Sequence, residues 1–426
     1  MRLTAVIINH GSGRFAVPAA RSVRQAWARV GMPHELDLVV VDQPAGVDQT
    51  PWLDQLALEG ARVLRSPRND GYAGGLARGL AGTEGAEDDL VMVLNPDLLL
   101  EERCLEHLVA HLAADPSAGV VGPRTWLDEG RTFQLPPPIL PGGRTELQDL
   151  LAARHPMAAR QVASQRSRLA WEAWLATRPL ERPMLSGSCL LMPRGVLRQL
   201  GLFLDPAFPL YYEDADLAKR VHALRRSCVF VPAAEAVHFG ARSSGTGASF
   251  EEDPRARWRV SRDLYLDRYA NPLARRVVRS LEAWWQRGPK ERLGRPAHRA
   301  HDLGPFTTPP AIDLPPGGPW LVELSLAPTF GFAAGAVLPG GTQVLPARTF
   351  DWLFEGPVHL RVLAPHDLRC FRAYTFQKAT PVTAAPSLEL LERARSDRGR
   401  VWHALQDAAR VDAPASVRSA RGRRVA

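Results

Sequence analysis

Acidic side chains at the abrupt ends of apolar runs are the most chemically suggestive residues of this 426-residue chain. Leu90 to Leu94 is unbroken apolar sequence with the length of a buried strand, and Asn95-Pro96 stops it, leaving Asp97 at its C-terminal edge. Ligands of open α/β sheets sit at that end of the strands, and a carboxylate fixed there by a proline can hold a divalent cation. A buried strand followed by an ordinary turn explains the same residues. A second acidic group, Glu213, Asp214 and Asp216, follows Tyr211-Tyr212 at what reads as a helix start. Acids in a first turn complement the helix dipole, and capping alone accounts for an isolated case. His238 ends a third apolar stretch, where a histidine is more often a satisfied residue than a ligand.

The elements that must position these groups follow from periodicity. Strands are expected over Leu3–Ile8, Leu36–Val41, Ala61–Leu64, Leu90–Leu94 and Gly119–Val121. Helices are expected between them, near 17–30, 52–58, 76–80 and 102–114. This alternation predicts a doubly wound, mostly parallel sheet flanked by helices. Two strand ends carry Asn9 and Asp42, and a third leads into Asn69-Asp-Gly-Tyr-Ala-Gly-Gly75. The glycines do not form G-x-G-x-x-G and follow the third strand, not the first, so a nicotinamide-binding domain is disfavoured. A mononucleotide diphosphate with a cation on Asp97 fits better.

Four segments, in order and spacing, resemble family 2 glycosyltransferases of the GT-A type: Asn9-His-Gly-Ser-Gly13, Val39-Val-Val-Asp42, Asn69–Gly75 and Leu94-Asn-Pro-Asp97. The Asn-Pro-Asp form is similar to that of rhamnosyltransferase-like members. The resemblance implies that Asp42 contacts the base of a nucleotide sugar and that Asn9, Asn69, Gly71, Gly75 and Asn95 share in holding it. It implies that Asp97 ligates Mn²⁺ or Mg²⁺ on the diphosphate, with His238 completing the metal site and Arg242 as a diphosphate contact. Ser186-Gly187-Ser188 resembles the acceptor-side segment, which places Gly187 and Ser188 by the acceptor. Tyr211-Tyr-Glu-Asp-Ala-Asp-Leu-Ala-Lys-Arg220 matches the catalytic segment, with Asp214 as base and Glu213 beside it. The expected reaction is an inverting transfer to a hydroxyl of a glycan or lipid-linked acceptor, in cell-surface polysaccharide or glycoconjugate synthesis. Departures from the pattern are His10-Gly11, the longer run after Asp42, and Leu76-Ala77.

The resemblance covers residues 1 to about 245. The expected organisation is a transferase domain over 1–250, a basic helical linker over 251–303, a small all-β module of sandwich or barrel type over 304–380, and a C-terminal helix and basic tail over 381–426. The module's strands are read at 320–326, 335–338, 349–354, 358–363 and 371–376. One or two helices are expected between Glu146 and Leu175, with Trp171 and Trp174 as packing residues or, alternatively, a sugar-stacking pair. The net charge of +8 rests almost wholly on arginine, since only Lys219, Lys290 and Lys378 are lysines. The basic-aromatic stretch from Arg255 to Trp285 reads as an amphipathic packing helix, with a peripheral membrane contact as the other use of such a surface. No nucleic-acid module is present. Four scattered cysteines and no apolar run of membrane-spanning length point to a reducing, cytoplasmic protein. Homo-oligomerisation is compatible with all of this. A sugar nucleotidyltransferase, or a scaffold built on a degenerate transferase domain, are the competing readings.

Overall fold

Leu3, Ala5 and Ile7 bury one face of the first strand, and Val6 and Ile8 bury the other. A strand apolar on both faces needs helices on both sides. The computed structural model, which describes residues 1–31, 35–240, 254–286 and 296–392, shows that arrangement. In chain order, β1 (Arg2–His10), α1 (Gly13–Ala28), β2 (Glu35–Gln43), α2 (Thr50–Leu58), β3 (Arg62–Arg65), α3 (Gly71–Leu80) and β4 (Leu90–Leu94) alternate as expected. They continue into β5 (Leu98–Leu100), α4 (Cys104–Ala114), β6 (Ala118–Trp126), α5 (Gly143–Ala152), α6 (Pro156–Leu175), β7 (Leu180–Arg182), β8 (Cys189–Pro193), α7 (Arg194–Leu200), α8 (Glu213–Ala223) and β9 (Ser227–His238). The sheet order is β3-β2-β1-β4-β8-β6-β9-β5, with β7 also on β9. Pairs β2–β3, β1–β2, β1–β4 and β6–β9 are parallel, and β8 runs antiparallel between the two parallel groups.

Two local expectations are corrected here. The glycine-rich segment is not a loop that leads into a helix at Leu76, because α3 already begins at Gly71. A Cβ on Gly75 would stand 2.9 Å from Ile8 Cγ2, and one on Gly79 only 2.5 Å from Val6 Cγ1. These glycines let the helix lie close on the sheet, although the stretch up to Gly75 reads as a loop by composition. The three-residue β5 was not expected. It leaves the line of β4, crosses the sheet, and pairs antiparallel with β9, Leu98 opposite His238.

Two helices, α9 (Pro254–Tyr269) and α10 (Pro272–Gln286), precede the C-terminal module. The module comprises β10 (His301–Phe306), β11 (Ala311–Leu314), β12 (Trp320–Ser325), β13 (Ala334–Leu338), β14 (Gly341–Val344), α11 (Ala347–Trp352), β15 (Gly356–Leu363) and β16 (Cys370–Lys378). A five-stranded sheet, β10-β16-β15-β12-β13, is accompanied by the ribbon β11-β14. The strand expected at 349–354 is mostly helical: α11 starts after Pro346 and buries Thr349, Phe350 and Trp352. Short apolar runs do not distinguish the two states by periodicity.

The module is joined to the first domain by backbone and by core. Gln134 and Gly335 exchange both backbone hydrogen bonds at 2.8 Å. Trp171 and Trp174 are buried with Leu321, Val337 and Leu363, so they act as packing residues with almost no ring surface exposed. A side chain on Gly335 would strike the Trp174 ring, at 2.1 Å from Cζ3. Phe239, next to His238, lies 4.1 Å from the Trp352 ring centre, with Phe15 about as close to both, at 6.1 and 6.0 Å.

One ion pair at this junction is fully buried. Arg361 Nε donates to Glu323 Oε2 at 2.6 Å, while its second nitrogen donates to Ser167 Oγ of α6 at 2.6 Å. Glu323→Ala would strand the arginine charge in the interior, and a cost of about 3–5 kcal/mol is expected. Chemical denaturation of the two proteins measures it, and a loss under 1 kcal/mol would mean that water reaches Arg361. Among the described residues, no helix is long and apolar enough to cross a membrane.

Candidate active site

The C-terminal ends of β1, β2 and β4 open into one cavity of about 1150 Å³. It lies where the strand order reverses about β1, the usual ligand crevice of an open α/β sheet. His10, Gln43 and Asn95 reach it from the strand ends, Asn69, Gly71 and Tyr72 from the start of α3, and Ser186, Gly187 and Ser188 from the turn before β8. Glu213 and Asp214 come from the first turn of α8 and His238 from the end of β9.

The β4–β5 crossing sets the first cluster. Asn95 N–H donates to Ser188 O at 2.8 Å, which fixes the exit from β4, and the Asp97 carbonyl accepts from Phe239 N–H at 3.1 Å. Asp97, 2% exposed, thereby faces His238, with Oδ1 and Nε2 3.4 Å apart. The Asn95 amide nitrogen is also 3.4 Å from that Nε2.

The second cluster is a buried carboxylate pair held by a strained turn. Tyr211 and Tyr212 both adopt left-handed backbone, at φ 63° and 67°. Such conformations cost of order 1–3 kcal/mol each and persist only where surroundings impose them. Here Tyr212 OH donates to Glu146 Oε1 at 2.7 Å and its ring packs 5.4 Å from that of Tyr265. Asp214 Oδ2 accepts from Gly187 N–H at 3.1 Å and Oδ1 from Ala215 N–H at 2.9 Å. A Cβ on Gly187 would lie 3.2 Å from Asp214 Cβ, so the glycine lets the backbone approach the carboxylate. Glu213 Oε2 is buried without a hydrogen-bond partner among the described residues.

Burial raises the pKa of both acids, and for Glu213 the charge of Asp214 adds to it, carrying Glu213 up to about 8. The two amide donors to Asp214 work the other way and favour its ionised form. The amide donors thus make Asp214 the first of the pair to ionise, and Glu213 the one that keeps its proton longer. A carboxyl with a raised folded pKa stabilises the fold at low pH and loses that contribution as pH rises from its ordinary 4.5 through about 8. Thermal stability should fall across that window, and Glu213→Gln should flatten the fall. Parallel pH profiles for the two proteins would refute the assignment.

Not every residue expected at the site reaches the cavity. Asn9 is fully buried, its amide donating to Asp42 Oδ1 at 2.7 Å and its carbonyl oxygen accepting from Ser12 N–H at 3.1 Å. Neither Asn9, Asp42 nor Gly75 lines the cavity. Asp216, the third acid of its group, is bound by Arg220, Arg268 and Tyr269 and is structural. Arg242 lies outside the described residues. Sequence reasoning missed Gln43, which accepts from Asp70 N–H at 2.7 Å and donates to Gly71 O at 3.1 Å, holding the start of α3. It also missed Tyr72, whose hydroxyl donates to Gly187 O at 3.0 Å, and Arg257 of α9. Gln43 directly follows the Asp42 motif and was within reach of a local reading, whereas Arg257 carries no local signal.

The model of the family described as "Glycosyl transferase family 2" matches residues 5–201. The N-acetylglucosaminyl-diphospho-decaprenol L-rhamnosyltransferase of Mycobacterium tuberculosis, in strains CDC 1551 / Oshkosh and ATCC 25618 / H37Rv, is 30% identical over 220 residues. That alignment covers 49% of this chain and 68% of the relative. The chain belongs to glycosyl transferase family 2. Among solved structures, the mannosyltransferase PcManGT from Pyrobaculum calidifontis, in complex with GDP-Man and Mn²⁺, is 17% identical, with 67% of this chain and 70% of that chain covered and a TM-score of 0.38. As a family 2 glycosyltransferase the protein is an enzyme, and the scaffold and nucleotidyltransferase readings fall away. The family match ends at 201, before α8, so the Glu213–Asp214 pair rests on its own geometry.

Proposed function

We propose that this glycosyltransferase moves a sugar, with inversion, from a nucleoside diphosphate to a hydroxyl of a glycan or lipid-linked acceptor in cell-wall polysaccharide synthesis, with rhamnose as the favoured donor sugar. The observation that carries the reading is the placing of two unlike clusters in one cavity, Asp97 with His238 and Asp214 with Glu213. The first offers a carboxylate and an imidazole 3.4 Å apart. Among the described residues no third His, Cys, Asp or Glu joins them, which leaves coordination positions for diphosphate oxygens. That donor set fits a divalent cation, and the imidazole favours Mn²⁺ over the oxygen-preferring Mg²⁺. A cation held by Asp97 and His238 would offset the charge of the departing diphosphate.

An Asp214 carboxylate oxygen takes the proton of the acceptor hydroxyl as the acceptor oxygen attacks the anomeric carbon, and the C–O bond to the diphosphate breaks on the opposite face. Gly187 N–H and Ala215 N–H hold the carboxylate still for this, and Ser188 stands on the acceptor side. Protonated Glu213 keeps a second negative charge away from the base. Asn69, Gly71 and Asn95 surround the donor side, while Asn9 acts through Asp42, and Gly75 through the seating of α3. On α10, exposed Leu273, Val277 and Trp284 with Arg276 alongside support a peripheral membrane contact, the alternative use of this stretch, beside its packing role.

The test is a donor panel of dTDP-rhamnose and UDP- and GDP-sugars with Mn²⁺, read as release of nucleoside diphosphate. Turnover of dTDP-rhamnose above the others is expected. Equal turnover of all donors would remove the rhamnose assignment, and turnover of none would remove these nucleoside diphosphate sugars as donors.

A further inference from the structure

We infer that the C-terminal module builds the acceptor subsite, and that it selects acceptors whose hydroxyl-bearing sugar is attached to a hydrocarbon aglycone. The inference rests on the glycosyl transfer proposed above and adds the class of acceptor.

The cavity has two chemically distinct groups of lining residues. The strand ends with α8 and α9 supply Asn95, Asp97, His238, Glu213, Asp214 and Arg257. A second wall comes from the module: Leu324, Leu326, Phe332, Ala334, Leu353 and Phe354. Leu326 and Phe332 are 48% and 64% exposed, large apolar groups left facing solvent in the turn between β12 and β13. The one aliphatic hydroxyl on this wall is already used, since Ser325 Oγ donates to Phe332 O at 2.7 Å and accepts from Ala327 N–H at 3.1 Å. Trp352, which also borders the cavity, donates its ring N–H to Glu129 Oε2 at 2.8 Å. A sugar ring is recognised by several convergent polar groups, whereas a hydrocarbon chain asks for none and gains from each apolar contact. Leu127 and Leu135 of the transferase domain continue the apolar surface.

The wall is also held in register with the chemistry. The Trp352 ring packs at a tilt of 36° against Phe239, the residue after His238, and the Gln134–Gly335 backbone pair fastens β13. An acceptor with its hydroxyl at Asp214 would have this apolar wall of the same cavity for its aglycone. A second use of the wall, stacking of the donor's base on Phe332 or Phe354, makes the opposite prediction for nucleotide affinity.

The experiment uses the full chain and the methyl, hexyl and decyl glycosides of one sugar, below their micellar concentrations, with binding followed by calorimetry. Affinity should rise by about two- to fourfold per methylene for as far as the wall extends. In the Leu326→Ser/Phe332→Ser protein that rise should largely vanish, while nucleoside diphosphate affinity in Mn²⁺ stays within twofold. Both side chains are exposed, so the variant is expected to melt with the wild type. No dependence on chain length, or the same dependence in the variant, would overturn the inference. So would a matching fall in nucleotide affinity, which would give the wall to the donor's base. Absence of nucleotide binding by the wild-type chain would remove the transferase reading itself, and the acceptor assignment with it.

Discussion

Replacing Asp214 by asparagine is expected to lower kcat by about 10²–10⁴, the usual range for loss of a general base. Donor affinity should hold within a few-fold. The side-chain volume is conserved, and one oxygen remains to accept from Gly187 or Ala215 N–H, which now hold Oδ2 and Oδ1 at 3.1 and 2.9 Å. The proton-accepting charge is what disappears. The sharper comparison is with Glu213→Gln. Because burial and the neighbouring Asp214 keep Glu213 protonated up to about pH 8, an amide there resembles the form present at neutral pH. Its kcat should remain within about tenfold of the wild type, a loss of under about 1.4 kcal/mol in transition-state stabilisation. Steady-state kinetics of the two variants, with melting curves as a check on folding, decide the matter. If Glu213→Gln lost as much rate as Asp214→Asn, the roles within the pair would have to be exchanged or shared.

Asp97→Ala is the second large effect. It should lower metal-dependent nucleoside diphosphate affinity by about 10²-fold or more, since removal of a group that only supports a ligand already costs 10–100-fold. The expected contribution is local: Asp97 is 2% exposed and lies 3.4 Å from His238 across the β5–β9 pair. The paired strands themselves are untouched by the substitution. Calorimetric titration of the nucleotide with and without Mn²⁺ separates the contributions. Wild type should bind much more tightly with the metal, and the variant should bind weakly and equally in both conditions. Metal-dependent binding that survives in Asp97→Ala would place the cation elsewhere in the cavity. His238→Ala should fall between the two, because the carboxylate carries the formal charge that a divalent ion needs.

How much of this was open to a reader of the sequence depended on the range of the interactions involved. Leu90–Leu94 was legible as a strand to the residue because a purely apolar run, stopped by Asn95-Pro96, is a local signal. The acids at Glu213 and Asp214 were legible as a helix start for the same reason, and the ordered motifs from Asn9 to Asp97 pointed to the family that the comparisons show. Local reading erred where composition has two physical meanings. The stretch up to Gly75 looks like a loop, yet it opens α3, where Gly75 serves the close approach of the helix to Ile8. The run 349–354 looks like a strand, yet most of it lies in α11, which delivers Trp352 to Phe239.

The sequence by itself determined the alternating strands and helices and the acids at their ends, since each follows from neighbouring residues and the backbone's few allowed states. Only the tertiary structure decided which of those groups meet. His238 reaches Asp97 through the pairing of β5 with β9, and Asp214 reaches Gly187 across 27 positions of chain. The module was read from sequence as a neighbour of the transferase, and it proved to form a wall of the same cavity. That wall depends on contacts such as Gln134 with Gly335 and Phe239 with Trp352. Such contacts join residues whose own surroundings say nothing of one another. Their pairing is decided by packing of the whole chain, because burying a shared apolar face stabilises only the assembled fold.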